Sequence, residues 1–186
     1  MTLETADTQD VQKVADSAQE AAGAKLLSPV GMKAMQGETD TPAKFGTFAH
    51  EAYGYAAEDR YGDAAYIERR VGVTKPDSSL AEGEIDLAVG NALIDYKTCY
   101  MRDWTTTEAR AAASKHGQQM KEYVDSPDTP ANAKGWIIAT VPPDSQVVRD
   151  AYATTLNEYN VGVKFAKSED QASVMEAVDK AVKDSP

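Results

Sequence analysis

The sequence predicts one α/β domain, an α+β arrangement of a mixed central sheet with helices on both faces. Three observations carry this. Segments with helical and strand-like apolar spacing follow one another in the order α, α, β, β, β, α, β, α, β, α, and helices packed on a mixed sheet are the simplest way to bury them. Gly90-Asn91 separates two alternating runs, the mark of a tight hairpin. The length, 186 residues, suffices for one substantial core and is short for two.

The elements read as follows. Residues 6–27 predict a helix, with Val11, Val14, Ala15, Ala18, Ala21 and Ala22 at helical spacing and Thr5 or Thr8 as cap. Residues 28–40 hold a proline and two glycines and read as a loop. Thr41-Pro42 is a helix start, a cap followed by proline at the first position. That helix runs to about Arg60 with Phe45, Phe48, Ala49, Ala52 and Ala56 toward the core. Residues 65–73 read as a strand and 74–83 as an exposed loop; two strands then flank Gly90-Asn91. A long helix is expected from Thr105 to Tyr123, a buried strand at 134–141, a helix at 144–160 and a strand at 161–166. A last helix is expected from Ser168 to Lys183, with Ser168 and Gln171 as its capping box. Residues 1–40 are expected to be accessory and 41–186 to form the working domain.

Composition narrows the classes. No run of about 18 apolar residues is present to span a membrane. The acidic start "MTLETADTQD" lacks the pattern of a secretion signal, so a cytoplasmic protein is expected. Cys99 is the single cysteine, which excludes an internal disulfide and cysteine-rich zinc or iron–sulfur sites. The net charge of −11 argues against a non-specific nucleic-acid coat protein. It is uneven: residues 41–142 carry 15 acids and 11 bases, while residues 1–40 alone carry a net −4. Acids gathered at a metal site would also be neutralised by the ions they bind.

The hairpin "GEIDLAVGNALIDYKT" holds three acids in strand-like sequence. With Gly90 and Asn91 as the loop, Leu87 faces Ile94, Asp86 faces Asp95 and Glu84 faces Lys97. One face then carries Ile85, Leu87, Val89, Ala92, Ile94 and Tyr96, and the other Glu84, Asp86, Ala88, Leu93, Asp95 and Lys97. Two facing carboxylates have Cβ atoms roughly 5 Å apart and repel. Either water solvates both, as on an ordinary amphipathic hairpin, or a cation lies between them. A hard ion such as Mg²⁺ takes one or two carboxylates and keeps waters, and Lys97 on the same face would stabilise charge or orient a water beside it.

Other stretches bear on this site. His50 lies in the second helix one turn after Gly46, which leaves room where the imidazole leans; packing at a helix flank is the plainer reading. Gln119 and Tyr123 share a face of the long helix, placed to hold a phosphate, a base or a carboxylate, or to form only a polar stripe. His116 lies near that face as a further substrate contact. Arg102 and Trp104 follow Lys97 and offer a charge and a stacking surface of the kind single strands use, or else a solvated arginine and a buried tryptophan.

In order, Gly46-x-x-x-His50, Asp86, Asp95-Tyr96-Lys97 and Gln119-x-x-x-Tyr123 resemble the PD-(D/E)XK nuclease superfamily, in its RecB-like branch. The resemblance spans about residues 45–125, and the following strand completes a restriction-endonuclease-like αβββαβ core. It implies a Mg²⁺- or Mn²⁺-dependent phosphodiester hydrolase acting on DNA, as an exonuclease or endonuclease of phage or repair type. His50, Asp86, Asp95 and the Tyr96 carbonyl would contact the ions, with Asp86, Asp95 and Lys97 catalytic. Gln119, Tyr123, Arg102 and Trp104 would meet substrate, with Glu51, Glu84 and His116 as second-tier candidates. The proline that gives the superfamily its name is absent, since Ile85 precedes Asp86.

Two alternatives stand beside this reading. One is a nuclease toxin domain of a bacterial competition system, secreted into a target cell. The other is a non-catalytic acidic interaction or immunity protein that keeps the fold. For the latter, the acidic N-terminal region suits a basic protein partner.

Overall fold

The computed structural model describes residues 42–186, with side chains from Ala49 onward. The expectations for residues 6–40, the Thr41 cap, the Phe45 and Phe48 side chains and the space beside Gly46 lie outside the described residues. The described elements are α1 (Pro42–Tyr61), β1 (Ala65–Thr74), β2 (Leu80–Val89), β3 (Ala92–Lys97), α2 (Thr106–Val124), β4 (Lys134–Ala139), α3 (Gln146–Asn157), β5 (Gly162–Phe165) and α4 (Gln171–Lys183).

The five strands form one mixed sheet in chain order. β1–β2 and β2–β3 pair antiparallel, and β3–β4 and β4–β5 pair parallel. The helices α2 and α3 supply the crossovers that parallel neighbours need. One core layer joins Ala49, Ala52, Tyr53 and Ala57 of α1 and Val174, Ala177, Val178 and Ala181 of α4 to Leu87, Ile94, Tyr96 and Ile138. The second joins Ala109, Ala113, Met120 and Tyr123 of α2 and Val148, Tyr152 and Leu156 of α3 to Ile85, Leu93 and Ile137. β3 is covered on both faces, and every residue from Ala92 to Tyr96 is buried. Each large apolar side chain buried this way contributes about 1.5–3 kcal/mol, so its pairing is strongly fixed.

The hairpin register is as expected over the three pairs beside the turn, whereas the expected Asp86–Asp95 and Glu84–Lys97 pairs are not part of the ladder. Gly90 takes a positive φ of 57°, and Leu87, Ala88 and Val89 face Ile94, Leu93 and Ala92. The preceding loop is shorter than the sequence suggests. β2 begins at Leu80, and the turn closes over Lys75–Ser79, where the Lys75 amide donates to the Ser79 carbonyl at 2.8 Å. Gly83 makes the longer strand packable, because a Cβ there would collide with the Tyr123 ring.

The expected face assignment fails at Ile85. Leu87 packs in the α1–α4 layer, whereas Ile85 packs in the α2–α3 layer. The cause is a break in both ladders at Asp86. Glu68 of β1, opposite Asp86, has a left-handed φ of 50° and is missing from the pairing between Ile67–Leu87 and Arg69–Ile85. The β2–β3 ladder stops at Leu87–Ile94. Strict alternation is lost there, and Asp86 is left at the junction of the two layers.

Two further features shape the periphery. The last helix starts at Gln171 rather than Ser168, and Asp170 caps it by accepting from the Ser173 amide at 3.0 Å. Ser168 donates instead to Asp170, and Gln171 reaches across to the Ala52 carbonyl. On the outer edge of β1, the Gly72 amide donates to Asp128 Oδ2 at 2.7 Å, and Arg69 donates to the Asp128 carbonyl.

Candidate functional site

The carboxyl end of β3 gathers the polar side chains. In open α/β sheets this is where ligands are usually met. Asp95 and Lys97 leave β3 on one side, and the Lys97 carbonyl is fixed by the Thr140 amide at 3.1 Å. The break in β2 brings Asp86 alongside. The Asp86 Oδ2 accepts from the Tyr96 amide at 2.7 Å, in place of a continued ladder. Its Oδ1 lies 3.3 Å from Nδ1 of His50, which enters from α1. The imidazole leans on Tyr96, with ring centroids 5.7 Å apart.

The two carboxyl groups are close enough to hydrogen-bond to each other, and their titration splits. Burial pushes Asp95 up to about 7, helped by the charge of Asp86 and opposed by that of Lys97. Burial also works to raise Asp86, but the hydrogen bond and charge of His50 and the Tyr96 amide outweigh it, and its pKa falls below the usual value. The pair therefore takes up its shared proton on Asp95 as pH falls through about 7, and above that Asp95 is the anion that Lys97 faces. Burial works against His50 ionising, yet the Asp86 hydrogen bond and the charges of Asp86 and Asp95 prevail and raise its pKa.

Lys97 Nζ stands 2.6 Å from Asp95 Oδ2. The contact is close but lacks the alignment of a hydrogen bond, so this buried oxygen has no hydrogen-bond partner among the described residues. Burial is the largest single influence on Lys97 and lowers its pKa, but the charge and contact of Asp95 together with the charge of Asp86 outweigh it and raise the pKa, so the lysine stays charged. Among the described residues, no three or more His, Cys, Asp and Glu side chains form a ready cage for an ion.

Other sequence candidates divide. Gln119 Nε2 donates to the Tyr123 hydroxyl at 2.7 Å, and Tyr123 feels the charges of Asp95 and Lys97. These two thus stand beside the site on the α2 side. His116 Nδ1 lies 2.6 Å from the Tyr152 hydroxyl. Burial, then the charges of Lys97 and Lys115, lowers its pKa to about 4.

Glu84 does not pair with Lys97. It lies 3.8 Å from Arg70, its neighbour across β1–β2, because Lys97 turns to Asp95. Glu51 is exposed on α1 and accepts from Tyr55 at 3.2 Å. Trp104 is partly buried against the α2–α3 layer, 6.3 Å from the Tyr152 ring. The exposed aromatic near Lys97 is instead Tyr100, which sequence reasoning passed over. Its signal was present: alternation through Tyr100, Met101 and Arg102 places the apolar Met101 inward and its neighbours outward.

No protein-family model, curated protein or solved structure matches the chain. Among the described residues, no helix is long and apolar enough to cross a membrane.

Proposed function

We propose that the protein is a divalent-metal-dependent nuclease that hydrolyses phosphodiester bonds of DNA, of the RecB-like PD-(D/E)XK type. The observation that carries this is the meeting of Asp86 and Asp95 at the end of β3, with Lys97 against one carboxylate and His50 against the other. A proton-sharing acid pair is costly to keep, and a cation would replace both the proton and the repulsion. The residues fit Mg²⁺ or Mn²⁺: two carboxylates suffice for an ion that retains waters, and Asp95 Oδ2 is buried without a hydrogen bond. Asp86 and Asp95 would hold the ion, with the His50 imidazole and the Tyr96 carbonyl beside them. When bound, such an ion polarises a phosphate oxygen and lowers the pKa of its water.

The chain's own groups divide the remaining work. His50 and the Tyr96 amide fix the direction of the Asp86 carboxylate. Lys97, anchored through its carbonyl by Thr140, directs a positive charge at the reacting phosphate or orients the attacking water. Gln119 and Tyr123, bonded to each other, set the α2 side of the pocket.

A second reading, a non-catalytic acidic protein, is favoured by the self-contained ion pairs His50–Asp86 and Asp95–Lys97. A plasmid-nicking assay with and without Mg²⁺ or Mn²⁺ decides between them. Wild type is expected to nick only with metal, and Asp95→Ala and Lys97→Ala to lose about 10²–10³-fold in rate, the usual effect of removing one charge-stabilising group. Absence of metal-dependent cleavage by wild type, or full activity in both variants, rejects the nuclease assignment.

A further inference from the structure

The loop of residues 98–105 leaves β3 directly after Lys97 and is pinned from within. Met101 is fully buried. Its amide donates to the Val141 carbonyl at 3.1 Å, and its carbonyl accepts from the Trp104 amide at 3.1 Å. The Arg102 carbonyl accepts from the Asp144 amide at 3.3 Å. Burying Met101 turns both its neighbours to solvent. Tyr100 is 51% exposed, and the Arg102 guanidinium carbon lies 5.9 Å from its ring centroid. The result is a flat aromatic surface backed by a cation, on a pinned loop three residues along the chain from the lysine of the site.

The charge of the surroundings narrows what this surface can bind. Asp103 and Asp144 are both exposed beside Arg102, and the chain carries −11 overall. Phosphates are thus met near Arg102 by an acidic neighbourhood rather than by a row of cations. Nucleic acid would have to be held by contacts that do not depend on net charge, and stacking on a base is one of these. Bases inside a duplex already stack on their neighbours, so only an unpaired nucleotide can lay its face on a side chain.

We propose that Tyr100, backed by Arg102, is a nucleobase platform that gives the protein a preference for single-stranded nucleic acid near the reacting phosphate. This rests on the nuclease reading for its biological role, but its binding is separately measurable. Tyr66 supplies an internal control. It too is exposed and backed by an arginine, Arg69 at 5.7 Å, but it lies on the outer strand β1.

The test is fluorescence anisotropy of the full chain, in Ca²⁺, with short fluorescein-labelled single-stranded DNA, single-stranded RNA and duplex DNA. Quenching of a 2-aminopurine base in the same strands reports stacking. Tyr100→Ala is expected to weaken single-strand binding about tenfold and abolish the quench, Tyr100→Trp to preserve both, and Arg102→Ala to weaken binding a few-fold. Duplex binding and the Tyr66→Ala variant should be unchanged. Loss on DNA and RNA alike identifies a platform for any base, and loss on one alone identifies the substrate. Absence of single-strand binding by wild type, unchanged binding by Tyr100→Ala, or equal losses on duplex or in Tyr66→Ala overturns the proposal. Tyr100-dependent binding without metal-dependent cleavage would uphold the platform and reject the nuclease, and cleavage indifferent to Tyr100 would do the reverse.

Discussion

Two histidines flank the end of β3 from opposite layers, and the same side chain meets opposite fates. His50, on the α1 side, has Asp86 and Asp95 for neighbours and is driven toward the charged form. His116, on the α2 side, bonds to the Tyr152 hydroxyl, feels Lys97 and Lys115, and is held neutral. Burial opposes the charge of both, so the sign of the neighbouring charges decides. The end of β3 is therefore polarised around the two imidazoles, with Asp86 against the one on the α1 side and Lys97 bearing on the one on the α2 side. For the proposed reaction this gives a direction: the metal belongs on the α1 side and the phosphate on the α2 side.

The strongest way to break that polarity is to exchange the roles of the two histidines. His50→Gln should weaken Mn²⁺ binding about 10–100-fold, the usual effect of losing a group that orients a metal's carboxylate, whereas His116→Gln should leave it within about twofold. Calorimetric titration of both variants reads this directly, and equal losses would erase the distinction between the layers.

A smaller effect concerns stability without metal. Asp95 is raised to about 7, so its protonated form is favoured by folding. That contribution is complete below its unfolded pKa near 4 and is lost as pH rises through about 7. His50, also raised, acts in the same direction: its contribution is present below the ordinary histidine value of about 6.5 and lost above its folded pKa. Asp86 is lowered, so its contribution is present above the ordinary aspartate value of about 3.9 and is lost only in acid, as pH falls through its folded pKa. Urea denaturation in chelator should therefore show stability falling between pH 5 and 8, and Asp95→Asn should flatten the slope. Divalent ions should bind more tightly as pH rises over the same range, because Asp95 must release its proton. A stability that climbs with pH would contradict the shared proton.

The smallest effect is the most specific. With a pKa near 4, His116 should show no titration between pH 6 and 8 by NMR, and His116→Asn should leave the shape of the pH–rate profile unchanged. A His116 midpoint near the ordinary 6.5 would dissolve the contrast with His50.

How far these features could be read beforehand depends on the range of the interactions behind them. The element order was legible because apolar spacing is local, and the β2–β3 register because Gly90-Asn91 permits one tight turn. The faces were legible as far as Leu87 and no further. Their switch at Ile85 depends on Glu68, a non-glycine residue in a left-handed conformation on a different strand, and spacing within β2 carries no trace of it. The same break leaves Asp86 free to take the Tyr96 amide, while Glu84 meets Arg70 as its ladder partner on β1. His50 and Asp86 were nameable as candidates from their residue types. Their 3.3 Å contact required α1 to pack across the sheet. The exchange of Trp104 for Tyr100 followed from which of two neighbouring apolar side chains, Met101 or Tyr100, entered the core. The start of the last helix was misjudged because Ser168 and Asp170 are both good caps two residues apart, and Ser173 chose the second.

The carboxylate of Asp128 has an effect beyond local pairing. A ten-residue outer strand presents a row of backbone donors that another copy could extend into a fibril, and Leu80, the most exposed large apolar residue among those described, lies beside it at the strand's far end. By occupying the Gly72 amide, the loop after α2 interrupts that row two residues before its end. The rim that would be most prone to sheet-to-sheet aggregation is closed by a residue remote from it in sequence.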